Sequence, residues 1–354
     1  MKRLLGLTIL ISLMALGASP IPNQNIAKTV GNAEAPVVGP TSLRPLQVIY
    51  RQFEGTFLKS PGGVWVDRAK GEVYVADTSN DLIAVYNPLG LPLFAFGYNR
   101  ELKEPTKAIP DSNGRIYVLN GIPRAVKIFN YRGEYTNDFS LSRGDSKSVP
   151  TAIAVDQDNN LYVALTGENA TQIQVYDSTF QLVREFGKKP DGSSQLKNVQ
   201  AITIDADRTV YVADATATPA IQVYSPEGKF LRGWGAHDGG PQNFSLPAGL
   251  AIDGDGRVIV VDTIRQQIMM FTKDGVFLNR EGGMGNQPGA VMYPSDIASN
   301  GNGRVYVVER VGSRLQVLEQ QLVAARRNPN TTAASNGLRE QMRRQFNDLT
   351  RGMK

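Results

Sequence analysis

The chain has 354 residues, 41% of them apolar, enough to bury a sizeable core. It has no cysteine and one histidine, His237, which excludes disulfides, thiolate metal centres, cysteine nucleophiles, covalently attached c-type haem and any site built on two imidazoles. The net charge of +5 suggests an anionic partner, but its placement along the chain decides what it means.

Met1-Lys2-Arg3 followed by an apolar run from Leu4 to Leu16 and small residues reads as a secretory signal over residues 1–18. The run is too short for a comfortable membrane span, and no later segment is long and apolar enough for one. A periplasmic or secreted location is expected. Residues 19–45 carry five prolines and few strand formers, and read as a flexible leader. An orphan strand follows at Leu46–Gly55, whose Phe53-Glu54-Gly55 ending is like the close of later strands.

One pattern then recurs six times. It runs Pro, an apolar stretch, Asp, a turn, Val/Ile-Tyr-Val, Ile/Val-x-Val-Tyr/Phe and Phe-x-x-Gly. The second-strand anchors Tyr74, Tyr117, Tyr162, Tyr211, Ile259 and Tyr306 are 43, 45, 49, 48 and 47 residues apart. Each copy predicts four short strands, such as Gly63–Val66, Glu72–Ala76, Leu82–Tyr86 and Leu93–Phe96 in the first. Asp67, Asp111, Asp156, Asp205 and Asp253 mark the first hairpin turn, with Asn300 in the last copy. Pro110, inside the second copy's inner strand, should disrupt a ladder bond or mark a bulge. A four-stranded sheet at this period is a propeller blade. The last copy supplies only three strands, so the orphan completes it. The expected fold is all-β, a six-bladed propeller over residues 46–321 closed by an N-terminal strand.

Residues 322–354 read as a linker and a short basic helix, with Leu338, Met342, Phe346 and Leu349 on one side and Arg339, Arg343 and Arg344 flanking it. This tail is a candidate partner-binding segment. From Arg326 onward it holds seven of the Lys and Arg residues against Glu340 and Asp348, while residues 4–325 hold 29 positive and 31 negative side chains. The body therefore lacks the positive excess expected of a nucleic-acid binder, and no nucleic-acid partner is expected.

The segments Gly63-Val-Trp-Val-Asp67, Val73-Tyr-Val-Ala-Asp77 and Ile83-Ala-Val-Tyr86 resemble the NHL repeat. So do Ala201-Ile-Thr-Ile-Asp205, Val210-Tyr-Val-Ala-Asp214, Ile221-Gln-Val-Tyr224 and the glycine-rich loop Gly233–Pro247. The resemblance implies a propeller that mostly supplies interaction surfaces. It also extends to peptide-amidating lyases, lactonases and strictosidine-synthase-like proteins, and to relatives that bind RNA or protein as end domains. The zinc-dependent lyases need several His ligands, which this chain lacks.

The resemblance to calcium-dependent lactonases directs attention to the ends of the second strands: Asp77, Asn120, Asp214, Asp262 and Glu309. These could form a ring around the channel with a calcium ion, or bind local loop amides. At the inner-strand position two after the Pro, only Lys107 and Asp296 are charged. They flank blade one and are expected to face each other near one channel mouth beside Trp65, as an ion pair or as a ligand site. His237, next to Asp238 in a glycine-rich loop, reads as solvated. The sequence favours a non-enzymatic binding or scaffold propeller without a cofactor, engaging a protein through a propeller face or the tail. A divalent-cation-dependent lactonase- or lyase-like hydrolase, and a structural subunit of an envelope or extracellular electron-transfer assembly, are the alternatives.

Overall fold

The computed structural model describes residues 41–142, 148–167, 171–187 and 196–322. The expected signal, most of the leader and the tail beyond Leu322 lie outside the described residues. Among the described residues no helix is long and apolar enough to cross a membrane.

The chain opens with β1 (Thr41–Ile49). Blade one is β2 (Gly63–Val66), β3 (Val73–Asp77), β4 (Leu82–Tyr86) and β5 (Pro92–Phe96). Blade two is β6 (Lys107–Pro110), β7 (Arg115–Asn120), β8 (Ala125–Asn130) and β9 (Tyr135–Asp138). Blade three is β10 (Val149–Val155), β11 (Leu161–Thr166), β12 (Thr171–Tyr176) and β13 (Leu182–Phe186). Blade four is β14 (Val199–Ile204), β15 (Val210–Asp214), β16 (Ile221–Tyr224) and β17 (Phe230–Trp234). Blade five is β18 (Pro247–Ile252), β19 (Val258–Asp262), β20 (Gln267–Phe271) and β21 (Phe277–Gly282). Blade six is β22 (Pro294–Ser299), β23 (Arg304–Glu309), β24 (Arg314–Leu322) and, from the other end of the chain, β1.

Each blade is an antiparallel meander because its turn residues demand it. Asp156 Oδ1 accepts the backbone N–H of Asp158 and Asn160, each at 2.9 Å, and Asp205 and Asp253 repeat the arrangement in blades four and five. The side chain thus stands in for backbone partners that a two-strand turn leaves unpaired. The middle strands of each blade are buried on both faces, which explains their lack of alternation. Six apolar layers result, each built from two consecutive blades. Val64, Val75 and Tyr86 pack with Tyr306, Val308 and Leu315 between blades one and six, so the layers run around the whole ring.

Four expectations are corrected. The N-terminal strand begins at Thr41, not Leu46, and β24 runs one residue past 321. Leu43 is buried against blade five and Thr41 Oγ1 reaches Met270 Sδ at 3.2 Å, while Pro45 is absorbed by a register shift rather than ending the strand. Phe53–Gly55 is a 3-10 turn outside the strand, not its end. Pro110 closes β6 opposite Ile116 without any register shift. The irregularities fall instead at the start of inner strands, after Pro150, Val199, Pro247 and Pro294.

Candidate functional site

The six inner strands β2, β6, β10, β14, β18 and β22 surround an axial channel of about 740 Å³. Its wall includes Thr106, Lys107, Thr151, Gln200, Ser295 and Asp296, with Arg124 and Arg310 at the rim. The rest of the lining is largely glycine and apolar residues, and it carries two acids, Glu104 and Asp296, of which Asp296 is in contact with Lys107.

That pair joins blade two to blade six across blade one. Lys107 Nζ donates to Asp296 Oδ2 and to the Val64 carbonyl at 2.9 Å, and the Val64 N–H donates to the same Asp296 oxygen at 2.9 Å. The side chains are only 14% and 6% exposed, so neither charge relies on water. Lys107 Nζ also lies 5.7 Å from the centre of the Trp65 ring, within cation–π range. Blade one permits this because it has glycine at the corresponding position. A Cβ at Gly63 would fall on the Thr106 carbonyl, and one at Gly249 would lie 2.6 Å from Asp296 Cα. Lys107 and Asp296 thus face each other in the channel lining, with Trp65 beside Lys107 but not itself among the lining residues.

The repeated carboxylates are placed differently. Asp77, Asp214, Asp262 and Glu309 are fully buried and turned into the loops that join blades. Asp77 Oδ1 accepts the Lys59 N–H at 2.7 Å, Asp214 Oδ2 that of Lys197 at 2.7 Å, Asp262 Oδ2 that of Ser245 at 2.6 Å and Glu309 Oε2 that of Met292 at 2.8 Å. Asn120 Oδ1 does the same for Lys103 at 2.7 Å. Their second oxygens are also engaged: Asp77 Oδ2 with the Asn80 amide, Asp262 Oδ1 with the N–H groups of Leu246 and Arg265. Burial pushes the Asp77 carboxyl up to about 6, against the opposing pull of the Asn80 amide and the Lys59 N–H. These residues are latches between a strand end and the incoming loop. Among the described residues no group of three or more His, Asp or Glu is gathered that could hold a metal ion.

Two features are absent from the sequence reading, and a third departs from it. Arg314, at the start of β24, is 1% exposed; Nε donates to Glu309 Oε1 at 2.9 Å, Nη2 to the Ala290 carbonyl at 2.9 Å, and Nη1 to the Asn286 carbonyl. With Gln316, which donates to Ala290 and Glu309, it holds the loop entering blade six. The signal was a charge opening a third strand where the first copy has Leu82 and the third Thr171. Arg68, just past β2, donates to the carbonyls of Ser299 at 3.1 Å and Ile252 at 2.5 Å, tying blades five and six to blade one at the other end of the axis. His237, expected to be solvated, is half-buried, with Nε2 2.8 Å from the Ala217 carbonyl.

No known protein-family profile matches the chain. Over 126 residues it is 29% identical to Protein brain tumor of Drosophila melanogaster, a match covering 35% of this chain and 11% of that protein. The chain thus spans a small fraction of the curated relative it matches. Its fold is similar to a gluconolactonase from Xanthomonas campestris, with a TM-score of 0.58, 13% identity, and 80% and 95% of the two chains covered. It is also similar to a catalytically inactive histidine-to-alanine variant of virginiamycin B lyase from Staphylococcus aureus with quinupristin. There the TM-score is 0.55 at 13% identity, over 79% and 99% of the two chains. At these identities the likeness shows the fold, a six-bladed propeller, and nothing finer.

Proposed function

We propose that the chain is an exported binding propeller of the NHL type, without chemistry of its own, that seats a protein or other ligand on the face where the channel opens between Arg124 and Arg310. The observation that supports this most is the commitment of its acids. Asp77, Asp214, Asp262 and Glu309 are consumed by loop amides, and Asp296 is neutralised by Lys107. A general acid or base must be within reach of substrate and able to change its protonation. A cation site must leave carboxylate oxygens facing the ion. The four loop-bound carboxylates do not line the channel and Asp296 is held by Lys107, which leaves Glu104 as the other acid of the lining, whereas hydroxyls, amides and rim arginines around a concave opening are what a binding site needs.

The test is recovery of a partner by the full-length chain and by an R124E/R310E variant from the same envelope or culture-medium extract. Loss of a recovered species in the variant supports the reading. Equal recovery removes this face from it. In parallel, a shift in melting on adding calcium, reversed by chelation, would replace the reading with the cation-dependent hydrolase.

A further inference from the structure

The meander puts two kinds of connection on opposite faces of the ring. Turns between first and second strands, and between third and fourth, lie on one face; all other loops lie on the face with Arg124 and Arg310. The turn face carries 13 acids and 7 bases. The described residues of the loop face carry 8 bases and 5 acids. Adding the strand-end side chains that reach each face, namely Arg115, Arg232 and Arg304 on the turn face and Lys107, Arg314, Asp77, Asp214, Asp262 and Glu309 on the loop face, leaves a turn face with a modest acidic excess and a loop face near balance. On the turn face the acids sit inward: Asp158, Asp207 and Asp255 are exposed in the inner turns of blades three, four and five, Asp158 beside Arg208 at 3.1 Å and Asp255 beside Arg257 at 2.5 Å. The outer turns bear Leu89, Leu91, Tyr131 and Val276, each more than half exposed.

The chain leaves the ring on this same face. Thr41 pairs with Leu322 where β1 and β24 extend past their neighbours. The end of β24 is fastened to the turn face, with the Gln320 N–H bonded to the Gly303 carbonyl at 2.8 Å and Gln320 Nε2 to Asp253 Oδ2 at 2.7 Å. The segment that follows carries seven bases and two acids from Arg326 onward. Its sequence alternates Leu338, Met342, Phe346 and Leu349 with Arg339, Arg343 and Arg344. Residues 323–337 can span up to about 50 Å when extended, enough to reach across a single-domain face.

We infer that residues 338–351 dock on the turn face of their own propeller, arginines toward the inner acidic turns and apolar side chains toward the outer turn tips. Two independent features agree: the opposite net charge of face and segment, and the exit point of the chain on that face. Tethering adds the decisive term, because a short linker raises the local concentration of the segment to about millimolar. A free basic segment from elsewhere lacks that advantage.

Hydrogen exchange of the full-length chain tests the inference. Amides of 338–351 are expected to be protected at low salt at any protein concentration. The protection should fall at least tenfold in a D158N/D207N/D255N variant, in an R339E/R343E/R344E variant, and in ~0.5 M salt, where screening is nearly complete. Unchanged exchange in blades one and six verifies that both variants are folded. An unprotected segment in the parent chain overturns the inference. So does protection that survives D158N/D207N/D255N, or that rises with concentration, which would assign the contact to a second copy.

Discussion

Lys107 and Asp296 lie 189 residues apart in sequence and share one ion pair, bridging blades two and six over the glycine of blade one. The pair is mostly removed from water, so its partners are worth more together than apart. Lys107→Met and Asp296→Asn are each expected to cost about 3 kcal/mol, because each leaves the other residue buried and unmatched. The double variant should cost much less than their sum. Urea denaturation of the four proteins measures the coupling, and two single variants with unchanged midpoints would contradict a structural role for the pair.

Gly63 makes that bridge sterically feasible. Gly63→Ala places a methyl on the Thr106 carbonyl, backbone that cannot step aside, and should destabilise by about 1–3 kcal/mol. Gly239→Ala, with no atom within 4 Å of the added carbon, should change stability by less than about 0.5 kcal/mol. Thermal melts of the two variants compare packing with mere glycine loss.

Asp77 makes a prediction about pH. An unfolded Asp titrates near about 3.9, and the folded one near 6 because burial disfavours its charge. Between these values the folded state holds the proton more tightly. This contribution to stability is therefore complete below about pH 4 and lost as pH rises toward 6. Asp77→Asn keeps an acceptor for the Lys59 N–H, as Asn120 does for Lys103, but cannot ionise. Relative to the parent, it should gain on the order of 2 kcal/mol between pH 4 and pH 7. Parallel stability curves for the two proteins across that range would refute the assignment.

Arg314→Met should be the most damaging of these changes, costing about 3–5 kcal/mol by leaving Glu309 charged and buried and freeing the carbonyls of the entering loop. Adding Glu309→Gln should recover part of the loss. Limited proteolysis reads the local effect: cleavage within 283–291 should rise in the single variant before global unfolding.

The blades were legible in the sequence because each repeat states its strands, turns and turn acids six times over. The pairing of Lys107 with Asp296 was legible for a related reason: repeat alignment exposes two charges at a position that is otherwise small. The direction of the Asp77 and Asp262 side chains was not. A period of two assigns a residue to a face, but a residue at a strand end can turn to the axis or to the loop, and the choice depends on where the loop amides lie. Thr41–Pro45 were hidden by proline-rich composition, since only pairing with Leu318–Leu322 makes that stretch a strand. Arg68 and Arg314 bind main-chain carbonyls that no side-chain motif advertises.

The sheet of blade six holds the two extremes of the ring. Arg44 of β1 meets Glu319 of β24 at 2.6 Å, 275 residues later. During synthesis β1 emerges first and its partner nearly last. Blades one to five can each form from neighbouring segments as they appear, but β1 keeps its hydrogen-bonding groups open until the ring is otherwise complete. Such late, long-range pairing is slow and leaves a strand edge available to other chains. The final act of folding is therefore the insertion of the oldest strand beside the newest, and the half-made propeller is the state most in need of protection from aggregation.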